Sequence, residues 1–234
     1  MRRVSASEGY ALWAQTYDHQ PNPLLALEER ELDLLLPNLK GKDVIDAACG
    51  TGRWLEKLLS CGARRGVGVD ISAAMLARAA AKPSLQGRLV RGDGLALPFQ
   101  TGIADLAVCS FAAGYISDLR GLACVLARVA RRRADLFVTD FHPLGHQRGW
   151  RRAFRHGEET VEIASRAHSL EQICRAFQTE GFELRLCHQP RLGEPERPIF
   201  EEAGKGHTFD AACLTPAIFI CHFKFVGEPS WKEI

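Results

Sequence analysis

The stretch Val44-Ile45-Asp46-Ala47-Ala48-Cys49-Gly50-Thr51-Gly52-Arg53-Trp54 constrains the fold of this chain more than any other. Val44 and Ile45 are β-branched and apolar, as a buried central strand requires. Asp46 stands at the carboxyl end of that strand. Cys49 to Gly52 is too small and glycine-rich to extend it, and allows the backbone to turn sharply and approach a ligand closely. From Arg53 the period changes: Trp54, Leu55, Leu58 and Leu59 recur at helical spacing, with Gly62 as a stop. Strand, glycine turn and helix in this order form a ligand crevice at the carboxyl ends of a doubly wound α/β sheet.

Two further strand-like runs end in the same way. Gly66-Val67-Gly68-Val69 closes on Asp70, and Arg88-Leu89-Val90-Arg91-Gly92 closes on Asp93, followed by Gly94. An acid in the position of Asp70 can accept hydrogen bonds from both hydroxyls of a ribose. A glycine turn alone is common at strand–helix junctions, and such acids also cap helices. The three-acid series narrows the reading.

On these residues the chain resembles the class I S-adenosylmethionine-dependent methyltransferases. The resemblance rests on Asp46 to Gly52, on Val69-Asp70-Ile71-Ser72 with Met75-Leu76, on Gly92-Asp93-Gly94 with Leu97-Pro98-Phe99, and on Ala104 to Ser110. It covers residues 40 to 140 best and is closest to the branch that methylates small molecules. It implies a seven-stranded, mostly parallel Rossmann-like sheet with an N-terminal helical lid and an antiparallel last strand. It also implies S-adenosylmethionine as cofactor. Gly50 and Gly52 would admit its methionine end, with Asp46 at its amino group. Asp70 would hold the ribose, Ile71 would face the adenine and Asp93 would accept from the adenine amino group, with Gly94 keeping that edge open. Ser110 would meet the methionine part through its backbone. The family often has a glycine where this chain has Ala48, which fits the turn if its φ is negative. A dinucleotide-binding turn carries a third glycine that Gly50-Thr51-Gly52-Arg53-Trp54-Leu55 lacks, which weighs against a NAD-type oxidoreductase.

The 234-residue chain reads as a single domain: lid 1–37, cofactor-binding core 38–140, and an acceptor-side half 141–234. A net charge of +2 provides no global field for nucleic acid or a membrane. The eight cysteines have no C-x-x-C spacing, which points to a reducing, cytoplasmic setting and to no metal site. No apolar run follows the basic start, so neither a secretory signal nor a membrane span is expected. The partner expected is a small-molecule acceptor, for a monomer or homodimer. A carrier-bound or macromolecular acceptor is the alternative.

Gly9-Tyr10-x-x-Trp13-Ala14-x-x-Tyr17-Asp18 is similar to the lid of small-molecule methyltransferases, which implies that Tyr10 and Tyr17 cover the site. Asn22-Pro23 opens a second helix. Further strands are expected at 104–110, 136–140, 182–187 and 217–225. Arg131-Arg132-Arg133 reads as a solvated helix cap, residues 148–168 as a hairpin turning at 155–158, and 188–216 as a long loop. The hairpin's arginines suit an acidic substrate or a plain solvated surface. On the acceptor side His142, beyond the fifth strand, is the candidate base, with Tyr115 and Tyr17 as further candidate catalytic groups.

Overall fold

The computed structural model describes residues 1–227. The chain runs β1 (Arg2–Val4), α1 (Ala6–Trp13), α2 (Pro23–Asp33), β2 (Asp43–Ala47), α3 (Arg53–Ser60), β3 (Arg65–Asp70), α4 (Ala73–Ala80), β4 (Leu89–Arg91), β5 (Ala104–Ser110), α5 (Leu119–Val129) and β6 (Ala130–Phe141). It continues with α6 (Pro143–Gln147), β7 (Ala153–His156), β8 (Glu159–Ile163), α7 (Leu170–Thr179), β9 (Phe182–His188), α8 (Arg197–Glu202), α9 (Phe209–Cys213) and β10 (Ile218–Phe225). The seven expected strands form one sheet in the order β4-β3-β2-β5-β6-β10-β9, and β10 is antiparallel to both neighbours.

Alternation along each strand divides the core between the two faces of the sheet. Val44, Phe137, Ile218 and Ile220 pack with Leu27 of α2 and Trp54, Leu55 and Leu58 of α3. Ile45, Val138, Phe219 and Phe223 pack with Leu122 and Leu126 of α5 and Ile173 and Phe177 of α7. Local signals set the helix starts. Asn22 caps α2 ahead of Pro23, Ser72 caps α4 through Met75 N, and Ser169 with Gln172 closes a capping box on α7.

Four expectations are corrected. Arg131 to Arg133 belong to β6, because Asp43 and Asp105 at the amino ends of β2 and β5 need cations: Arg131 donates to Asp105 at 2.6 Å and to Asp43 at 3.0 Å. Arg64 and Arg65 also fork onto Asp43, and these arginines hold its carboxyl far below the usual range. The hairpin turns on Gly157-Glu158 alone, since Arg155 and His156 pair with Thr160 and Glu159. Its outer edge is covered by β1, which pairs parallel with β8 and makes a separate three-stranded sheet. Residues 188–216 carry α8, α9 and two single 3₁₀ turns. Finally, Ala48 has φ +60, in the left-handed region, where a negative φ was expected. Two hydrogen bonds hold it there: Cys49 N–H to the Val69 carbonyl at 3.0 Å and Gly50 N–H to Asp70 Oδ2 at 2.8 Å.

Candidate active site

The carboxyl ends of β2, β3 and β5, with the turn after β4, surround a cavity of about 350 Å³. The glycine turn forms its floor. Gly50 and Gly52 have φ +55 and +75, and a Cβ on Gly50 or Gly94 would meet nothing within 4 Å, so both edges stand open to a ligand. At Gly52 the left-handed backbone launches α3 beneath the cavity.

The three strand-end acids all line this cavity. Asp70 accepts from Gly50 N–H through Oδ2 and from Ser72 N–H through Oδ1, both at 2.8 Å. These bonds aim the carboxylate and leave lone pairs for the cavity. Burial raises its pKa. Asp46 is 1% exposed and accepts from Leu55 N–H at 3.0 Å. Burial pushes its carboxyl up to about 7, against the opposing pull of that hydrogen bond and of Arg53. Asp93 accepts from Leu95 N–H at 2.9 Å and so holds its own turn. Ala48, Ile71, Gly94 and Ser110 complete this part of the wall.

The lid closes the opposite side. Tyr10, Tyr17 and Tyr115 all line the cavity, and the Tyr10 hydroxyl donates to that of Tyr115 at 3.2 Å. Trp13 stacks on Phe154 at 4.8 Å and anchors α1 to the hairpin. Thr51 Oγ1 donates to Asp18 at 2.6 Å, which latches the residues after α1 to the glycine turn. Acids and aromatic faces suit a ligand that carries both an ammonium and a sulfonium. This cavity fits the cofactor that the resemblance implies.

The acceptor-side candidates divide. His142 is 2% exposed and is absent from the described lining of the acid-lined cavity. Its Nδ1 accepts from Leu144 N–H at 3.2 Å as the cap of α6, and its Nε2 meets Gln189 Oε1 at 3.0 Å. Both ring nitrogens are engaged, and burial lowers its pKa. Tyr17 and Tyr115 do face the cavity, but burial pushes both phenols well above their ordinary value. They present neutral hydroxyls and ring faces rather than bases.

Sequence reasoning missed several groups. Glu28 of α2 is fully buried behind the cavity, where Trp54 Nε1 (3.0 Å), Ser110 Oγ (2.7 Å), Arg53 and Thr139 all donate to it. Its position between Leu27 and Leu32 on a packing face is the signal that it points inward. Phe111 has φ +51, a strained conformation at the end of β5 that aims its carbonyl at Arg152. The buried Arg152 donates to that carbonyl at 2.7 Å, to Asp140 at 2.6 Å and to the Tyr10 hydroxyl at 3.2 Å. Nothing in the spacing of residues 10, 111, 140 and 152 shows that they meet.

Comparison with known proteins agrees with this geometry. Residues 44–135 match the family model of the methyltransferase domain. Over 139 residues the chain is 32% identical to the demethylmenaquinone methyltransferase of Tropheryma whipplei (strain Twist), covering 56% of each protein. The chain spans about half the length of the curated relatives it matches. Among solved structures, an S-adenosylmethionine dependent methyltransferase from Mesorhizobium loti superposes with TM-score 0.67 at 19% identity, over 87% of this chain and all of that one. The geranyl diphosphate C-methyltransferase of Streptomyces coelicolor A3(2), with geranyl diphosphate and S-adenosyl-L-homocysteine bound, gives 0.62 at 16% over 87% and 81%. Residues 44–135 thus match a methyltransferase domain, and the fold over most of the chain is that of S-adenosylmethionine-dependent methyltransferases of known structure.

Proposed function

We propose that the protein moves the methyl group of S-adenosylmethionine to an anionic small molecule. The observation that carries this reading is a pair of cavities sharing one wall. Tyr10, Tyr17 and Phe111 border both the acid-lined cavity and a second one of about 450 Å³. The first suits the cofactor and the second the acceptor, so the methyl would cross between the tyrosines. Arg151, Arg152, Arg155 and Lys205 line the second cavity together with Trp13, Phe141, Phe154 and Phe200, and its described lining contains no Asp or Glu. Arg152 is committed to Asp140, and Arg151 lies 3.9 Å from Glu162. Arg155 and Lys205 have no ion-pair partner among the described residues and would meet a carboxylate or phosphate. The relatives' acceptors, a demethylmenaquinone and geranyl diphosphate by their names, fit an apolar body, and the second is also anionic.

Methyl transfer is an in-line displacement that aligned reactants and exclusion of water can carry. The described lining of the second cavity holds no Asp, Glu or His, so the nucleophile would arrive already ionised or lose its proton to water. Asp46, Asp70 and Asp93 would hold the cofactor, and the tyrosine rings would shield the sulfonium.

Calorimetric titration tests the first half. S-adenosylhomocysteine should bind at micromolar concentration and NADH should not; NADH binding alone would overturn the reading. Asp70→Ala should weaken S-adenosylhomocysteine binding by more than ~1.5 kcal/mol, the loss of charge-assisted hydrogen bonds to a buried partner. Unchanged affinity would remove Asp70 from the site. The acceptor half is tested with methyl-labelled S-adenosylmethionine against aromatic and isoprenoid carboxylates and phosphates, alongside their neutral esters and alcohols. Labelling should be confined to the anions. Arg155→Ala with Lys205→Ala should raise the acceptor KM at least about tenfold, as two charge-assisted contacts are lost, with S-adenosylhomocysteine affinity unchanged.

A further inference from the structure

Three cysteines far apart in sequence meet at the C-terminal edge of the sheet. Cys174 lies on α7, Cys187 on β9 and Cys221 on β10. The antiparallel register sets Cys187 directly opposite Cys221, and Cys221 Sγ donates to Cys187 Sγ at 3.6 Å. The helix brings Cys174 over this pair, so that all three sulfurs lie within 4.8 Å of one another. None of the three lines either cavity of the active site. Cys221 is fully buried, while Cys174 and Cys187 are half-buried and connect the trio to the surface.

The spacing is that of a ligand set. Three thiolates at about 2.3 Å from one ion stand about 3.8 Å apart in tetrahedral geometry and about 4.0 Å apart in trigonal geometry. One pair stands at 3.6 Å and all three lie within 4.8 Å, close enough for an ion to be taken up by rotating side chains within a fixed backbone. Among the described residues no other His, Cys, Asp or Glu joins the group. Thiolates select soft ions of the Cu(I) and Zn(II) type over hard, oxygen-seeking ones. We propose that Cys174, Cys187 and Cys221 form a three-thiolate site for one soft, thiophilic metal ion. Binding breaks three S–H bonds, forms three metal–sulfur bonds and releases three protons to solvent, with no change of oxidation state. The bound ion ties α7 to β9 and β10 and stiffens this edge of the sheet.

The test uses the full chain, reduced, with the exposed Cys61 and Cys124 replaced by serine. Titration with Cd(II) should saturate at one ion per chain with an ultraviolet thiolate-to-metal band, and should raise Tm. Cys174→Ser, Cys187→Ser and Cys221→Ser should each abolish saturation at one equivalent, while S-adenosylhomocysteine binding by each variant reports that it is folded. Cys174→Ser, at a half-buried position, keeps the test decisive if the buried Cys221→Ser fails to fold. Competition between Cu(I) and Zn(II) then identifies the ion preferred. Absence of saturable binding, or stoichiometric binding that survives Cys187→Ser in folded protein, overturns the site and leaves the trio as core packing.

Discussion

Replacing Arg152 by alanine should cost about 3–5 kcal/mol of stability, the range for stranding one partner of a buried ion pair. Arg152 and Asp140 expose only 10% and 5% of their side chains. The guanidinium does more than neutralise the acid. It lies 5.1 Å over the Phe111 ring and 5.0 Å over the Tyr115 ring, and it donates to the Phe111 carbonyl and the Tyr10 hydroxyl. Without it Asp140 keeps the Gly114 and Phe141 amides, at 2.7 and 2.6 Å, but no counter-charge. Urea unfolding of Arg152→Ala, Asp140→Leu and Arg152→Met/Asp140→Leu makes the decisive comparison. The paired apolar replacement should recover most of the loss in Arg152→Ala, because it buries no uncompensated charge. A double variant as unstable as Arg152→Ala would show that the arginine's packing, rather than its charge, matters. S-adenosylhomocysteine affinity should fall in the two variants that lack Arg152, since each loses the hydrogen bond that ties Tyr10 to the hairpin.

The second large effect runs in the opposite direction. Asp46→Asn should stabilise the protein while weakening cofactor binding. Burial raises the Asp46 carboxyl to about 7 in the folded chain, against about 3.9 in an unfolded one. The folded state therefore keeps a proton that the unfolded state has lost, and stability contributed by this group falls as pH rises from about 4 through 7. Three units correspond to about 4 kcal/mol at pH 8. Asparagine cannot ionise and still accepts from Leu55 N–H. The stability difference between variant and wild type should be near zero at pH 4 and grow through neutrality. A difference independent of pH would mean that Asp46 is not the titrating group. The wild-type chain would thus keep a costly carboxylate because a cationic cofactor compensates it.

Much of the acid-lined cavity was legible in one dimension, because local rules govern it. A β-branched strand, an acid at its end, a glycine turn and an amphipathic helix each depend on neighbours within a few residues. Asp46, Asp70 and Asp93 therefore declare themselves, and so do the caps Asn22, Ser72 and Ser169. Ala48 shows the limit even there: its φ of +60 is imposed by bonds to Val69 and Asp70, on the neighbouring strand. His142 shows it as well: its place after β6 is local, while the orientation of its ring is set by Leu144 and Gln189.

What the sequence by itself determined is the succession of the seven strands of the main sheet, the glycine turn and the three acids, since hydrophobic period and turn chemistry act at short range. Only the tertiary structure decided which distant polar groups meet. Glu28 joins Arg53, Ser110 and Thr139 across the sheet, Arg152 joins Asp140 and Tyr10 from three elements, and Cys174, Cys187 and Cys221 converge from one helix and two strands. Such clusters form because a buried polar group must find its partner wherever the packed core places one, and sequence separation has no bearing on that requirement.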